Sequence, residues 1–84
     1  MAVCTHYDPS ADAAWIYFQK PSVALRPARS EELDESRLIA YDALNRVLAV
    51  ELLDVSKGVV MDGLPGQAEI SAELRRLAGT YGWR

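Results

Sequence analysis

The chain has 84 residues, a single cysteine (Cys4), a single histidine (His6) and a net charge of −3. That length suits one domain. One cysteine excludes an internal disulfide, two soft ligands are too few for a structural zinc site, and the acidic balance argues against direct binding to nucleic acid, whose phosphates want a basic face.

The first expected strand is "AVCTHY", residues 2–7, with Val3, Thr5 and Tyr7 on one face. "DPSAD" follows as a turn. Proline presets its own φ, and an Asp side chain bonds backbone N–H groups ahead of it, so Asp8, Pro9 and Asp12 are read as turn-shaping residues. "AAWIYFQ" is the clearest strand, because aromatic and β-branched residues suit a pleated sheet. Alternation puts Ala14, Ile16 and Phe18 on one face and Ala13, Trp15 and Tyr17 on the other. Strand, five-residue link and strand together predict a hairpin.

"VALRPA" predicts at most a short edge strand, since Pro27 cannot donate to a ladder. "RSEELDES" is expected to be an acidic solvated loop, or one helical turn at most. "RLIAYD" and "VLAVELLD" predict two more strands joined at "ALN", where Asn45 tolerates the left-handed backbone that a tight hairpin requires. The sheet is thus expected over residues 2–56. A Gly-rich connector over 57–66 carries a short extended piece at Val59–Met61. A helix over 67–79 follows from Ile70, Leu74, Leu77 and Ala78, which recur on one helical face. Gly79 is the expected stop, and residues 80–84 form a tail. The predicted fold is α+β: an antiparallel meander of four or five strands with one C-terminal helix on a face.

Two of the strands are apolar on both sides. Leu38 and Ala40 oppose Ile39 and Tyr41. Leu48, Val50 and Leu52 oppose Val47, Ala49 and Leu53. A sheet with one wet face should alternate apolar with polar. One helix covers one face, so the second is expected to be closed by another subunit, most simply in a two-fold dimer. Trp15, Tyr17, Leu38, Ala40, Ala49, Leu53, Tyr81 and Trp83 are the candidate interface residues, since Trp and Tyr bury large area at low entropic cost.

Two blocks carry a resemblance. Tyr7, Asp8, Pro9, Ala11, Asp12, Ala13 and Ile16 match Tyr-Asp-Pro-Glu-Ala-Asp-Ala-Leu-Tyr-Ile. Asp42, Arg46, Glu51, Leu53, Asp54 and Ser56 match a later Asp-Glu-Asp-Gly-Arg and Gly-Ile-Glu-Ile-Leu-Asp-Ala-Ser. Over roughly residues 5–58 the chain resembles a small, largely bacterial family of uncharacterised domains. It departs from the pattern at Ser10, Trp15, Ala43, Leu44, Asn45 and Ala49. The resemblance implies a small α+β or mostly β fold and no established activity. By analogy with relatives encoded beside small toxin-like proteins, it also implies an antitoxin-like role with a small basic protein as partner.

His6, Asp8 and Asp12 are the sharpest enzymatic constellation. A histidine with carboxylate neighbours can do general acid–base work, as in a small hydrolase or a metal-dependent enzyme. Against this, no Ser or Cys nucleophile is placed to complete a triad, and turn chemistry explains both aspartates. Cys4 and His6 share a strand face and could hold half of an intersubunit metal site. Glu51 is expected to pair across strands with Arg37 or Arg46. The sequence reading is of a non-enzymatic interaction domain, homodimeric and without a cofactor. It is expected in the cytoplasm with no membrane contact, because no apolar run reaches bilayer length and "MAVCTHYD" lacks a secretion pattern.

Overall fold

The structure is a computed structural model and describes residues 4–20 and 26–83. Five strands form one antiparallel sheet: β1 (Cys4–Asp8), β2 (Ala13–Tyr17), β3 (Arg29–Asp34), β4 (Arg37–Tyr41) and β5 (Val47–Leu53). A 3-10 turn at Val55–Lys57 and one helix, α1 (Gln67–Tyr81), complete the chain. The expectation of an α+β fold with one C-terminal helix holds.

The strand order is β1-β2-β5-β4-β3, so the sheet is not a simple meander. The hairpin β1-β2 and the three-strand unit β3-β4-β5 meet where β2 pairs with β5. β5 is the longest strand and is apolar at six of its seven positions, with Glu51 the exception. Apolar faces on both sides favour a central place, with neighbours on either edge.

β3 corrects the expectation of a loop at "RSEELDES". Charged side chains led to that reading, yet an edge strand tolerates them well, because they face water and discourage pairing with other chains. Only Leu33 of β3 packs against the core. A tight turn then returns the chain. Asp34 accepts the Ser36 N–H at 2.9 Å and the Arg37 Nε–H at 2.9 Å. The first half of the edge strand expected at "VALRPA", residues 23–25, lies outside the described residues, and its second half, residues 26–28, forms no strand.

β4 and β5 join through Asp42–Arg46. Asn45 adopts φ 63°, as its left-handed tolerance predicts, and its N–H donates to the Asp42 carbonyl at 3.0 Å. Pairing then slips. Ala40 lies opposite Ala49, but Tyr41 lies opposite Val47, so Leu48 is an extra residue in the ladder. This bulge redirects two side chains. Val47 packs against the core cluster, whereas Leu48 is buried outside it, beside Ala40 and Ala49. Grouping Leu48 with Val50 and Leu52 is therefore corrected.

The core lies between one sheet face and α1. Ile16, Val50, Leu52 and Ile70 are fully buried there, with Ile39, Val55, Leu64 and Leu77 around them. Thr5 donates to Glu73 at 2.6 Å and ties β1 to the helix. Val59 and Met61 form no strand and pack against the core as single side chains. The Arg37 guanidinium donates to the Val60 and Asp62 carbonyls and satisfies that stretch of backbone.

Gly66 caps the start of α1, with φ 59° and the Phe18 ring 2.6 Å from where a Cβ would lie. Only glycine fits so close an approach. The helix runs through Gly79, the expected stop, to Tyr81. Nothing at Gly79 demands a left-handed backbone. Gly82 supplies it at φ 71°, and the Trp83 N–H reaches back to the Ala78 carbonyl at 3.0 Å, a Schellman closure. The expected tail is thus largely ordered: Tyr81 is helical and Trp83 packs on the core edge.

Candidate functional site

Among the described residues, the face of the sheet opposite α1 is crossed by no helix, and Arg26 and Pro27 stand beside it. Register assigns its side chains in rows. One row runs His6, Trp15, Glu51, Leu38, Glu32 from β1 to β3. The next runs Cys4, Tyr17, Ala49, Ala40, Ser30. A third begins Asp8, Ala13, Leu53. Trp15, Tyr17 and Leu38 are half-buried, and Leu53 is 39% exposed. Ala40, Ala49 and the redirected Leu48 floor a depression of about 420 Å³, walled by Trp15 and Tyr17 on one side and Arg26 and Pro27 on the other.

Six of the eight candidate interface residues lie together on this face: Trp15, Tyr17, Leu38, Ala40, Ala49 and Leu53. Tyr81 and Trp83 do not. Their rings pack edge-on against Tyr7, at 4.8 and 5.2 Å between centroids, on the helix side of the sheet. Aromatic composition alone could not assign a face to residues beyond the helix end expected at Gly79.

His6, Asp8 and Asp12 are not brought together as a catalytic cluster. The His6 ring leans on Trp15 across the open face, 5.7 Å between centroids. Asp8 is taken up by the turn and accepts the Ser10 N–H and hydroxyl at 3.0 and 2.7 Å. These two bonds are the main cause that holds its carboxyl below the usual range. Asp12 points to the helix side, where it accepts the Tyr7 hydroxyl at 2.7 Å. Among the described residues, no three His, Cys, Asp or Glu side chains are grouped to hold a metal ion.

Asp12 does more than shape its own turn. At φ 51° it also accepts the Ser56 hydroxyl at 2.7 Å and the Ser56 N–H at 3.2 Å, while its carbonyl accepts the Val55 N–H. This clasp joins the first hairpin to the 3-10 turn that leaves β5. Burial opposes the Asp12 charge, but the bonds from Ser56 and Tyr7 outweigh it and keep the carboxyl below its ordinary range. Reciprocally, the bond to Asp12, followed by burial and the carboxylate's charge, pushes the Tyr7 phenol up to about 12. Titrating the phenolate absorbance should therefore find one of the four tyrosines ionising near pH 12, and Tyr7→Phe should remove that step.

Asp42 is the second carboxylate whose role the sequence did not disclose. It is 6% exposed and accepts Gln19 Nε2, the Leu44 and Arg46 N–H groups and Arg46 Nε, each at 2.9 Å. The Gln19 bond, then the backbone and side chain of Arg46, bring its pKa down to about 2 against the opposing effect of burial. A folded-state pKa below the unfolded value contributes stability above pH ~4 that is lost as pH falls toward 2. The wild type is expected to lose thermal stability through that window, and Asp42→Asn to be less stable at pH 7 with a flatter acid limb. Parallel slopes for the two proteins would contradict this. Glu51 has neither expected partner, because Arg37 pairs with Asp34 and Arg46 with Asp42.

A family model for proteins of unknown function (DUF2283) matches residues 5–56, more than half of the chain. The chain belongs to that family. The DUF2283 match spans nearly the whole sheet and ends at Ser56, so it includes both halves of the Asp12–Ser56 clasp, the Asp42 turn and the open face. α1 lies outside it. No curated protein and no solved structure gives a significant match. No helix among the described residues is long and apolar enough to cross a membrane.

Proposed function

We propose that this DUF2283 protein is a non-enzymatic interaction module that works as a homodimer through the open face of its sheet. The observation that carries the reading is the apolar surface formed by Trp15, Tyr17, Leu38, Ala40, Ala49, Leu48 and Leu53, which α1 leaves uncovered. A contiguous apolar patch on a small domain marks an association surface. In an 84-residue domain it also supplies burial that one helix cannot provide. An enzymatic reading has less support, because the His6 ring packs on Trp15 while Asp8 and Asp12 serve separate local bonds.

The fluorescence of Trp15 tests the proposal directly. In a Trp83→Phe background Trp15 is the only tryptophan. Dilution from high to low micromolar concentration should shift its emission to longer wavelength as the face is released to water. Emission that is independent of concentration, at a wavelength typical of exposed indole, would count against the proposal. The acidic residues Glu31, Asp34 and Glu35 at the free β3 edge and its turn support a second layer of the same reading, in which the dimer takes a small basic protein as partner in an antitoxin-like manner.

A further inference from the structure

The open face has a left–right asymmetry that fixes how two copies can meet. β2 carries the bulky column Trp15 and Tyr17; β4, on the other side of β5, carries Leu38 and Ala40 in the same rows. The outermost members of one row differ in charge character, with His6 on β1 and Glu32 on β3. The central column is Ala49, Glu51 and Leu53 of β5.

We propose that two copies pack face to face about a two-fold axis running along β5. This rests on the homodimer reading above and goes beyond it by assigning the register. Rotation about that axis exchanges left and right within each row. Trp15 of one copy then lies over Leu38 of the other, and Tyr17 lies over Ala40. The large side chains enter the depression floored by Ala40, Ala49 and Leu48. His6 comes over the partner copy's acidic β3 edge at Glu32. Leu53, exposed in the single chain, meets its own counterpart. An axis perpendicular to the strands would instead place β2 over β2, aromatic column against aromatic column, and the acidic β3 edge over itself.

The area suffices. Five strands spaced by ~4.8 Å and about 17–20 Å long give a face that buries on the order of 1,000 Å² in total from two copies, the lower bound for a specific interface. The cost of this arrangement is that Glu51 faces its own counterpart across the axis. Like charges set opposite one another repel, so Glu51 keeps the dimer weaker and more readily exchanged than its apolar neighbours would make it.

Single-cysteine cross-linking tests the register. In a Cys4→Ser background, Glu51→Cys should be joined into a covalent dimer by a short bis-maleimide. Ser30→Cys in that background should not, and neither should the native Cys4, since edge-strand positions lie ~19 Å from their counterparts across four strand spacings. Glu51→Gln should tighten the dimer about tenfold, the effect of removing one repulsion of roughly 1.4 kcal/mol. A dimer in solution that cross-links at position 30 or Cys4 and not at 51, or that is weakened by Glu51→Gln, would overturn the axis while leaving the homodimer reading standing. A chain that remains monomeric throughout would overturn both.

Discussion

Leu52→Ala is expected to destabilise the fold by about 3–4 kcal/mol, a large share of the stability a domain this size has. Leu52 is fully buried in the central strand, with Ala14 of β2 and Arg37 of β4 as its cross-strand neighbours. Alanine at the β2 neighbour cannot extend into the void, and the larger side chains of the core cluster are fixed in their own packing. The flanking strands are held by their own ladders and cannot collapse into it. Incomplete collapse puts a Leu→Ala substitution toward the upper part of its range. The reference stability is also small, because an 84-residue domain buries a limited share of its surface. Urea unfolding followed by circular dichroism checks this, and a loss below about 1 kcal/mol would show that the core assigned here is wrong. Leu53, one residue further along β5, points to the opposite face. Leu53→Ala should leave the unfolding of a single chain nearly unchanged and act on association instead. The pair separates folding from binding within two adjacent positions.

Leu38→Glu is expected to weaken the proposed dimer by at least a hundredfold, about 2.7 kcal/mol, while leaving the chain folded. Leu38 is half-buried on the open face, between Glu51 of β5 and Glu32 of β3 in its row. In the single chain a glutamate there can reach water. In the dimer it would be desolvated against the partner copy's Trp15, and an unpaired buried charge is strongly unfavourable. It would also add a third carboxylate to a row that already holds two. Analytical ultracentrifugation with circular dichroism of the same sample separates the two effects. A folded Leu38→Glu variant that associates as tightly as wild type would place the interface elsewhere.

What the sequence disclosed followed from local rules. The turn at Asp8-Pro9, the hairpin at Asn45, the alternation in β2 and the 3.6-residue spacing in α1 each depend on a few adjacent residues. What escaped it depended on residues far apart. The charges of β3 suit a loop when taken alone, and only the apolar β4 beside it makes them an edge strand. The place of β5 beside β2 could not be read from chain order, which favours sequential neighbours. The bulge at Leu48 was hidden because Val47, Leu48, Ala49 and Val50 are all apolar, so a slip of one residue leaves the hydrophobic pattern unchanged. The Asp12–Ser56 clasp joins residues 44 apart. At the candidate site, the six open-face residues were legible from alternation. Tyr81 and Trp83 were not, since their placement follows from a cap at Gly82 rather than at Gly79.

The proposed dimer closes the open face of the sheet with a second copy of the chain. Its most direct test is the mass in solution, by sedimentation velocity across the micromolar range. A reversible species of twice the 9.3 kDa chain mass that dissociates on dilution is expected, with Leu38→Glu shifted to the single-chain mass. A folded wild-type protein that sediments as a 9.3 kDa monomer at every concentration would contradict it.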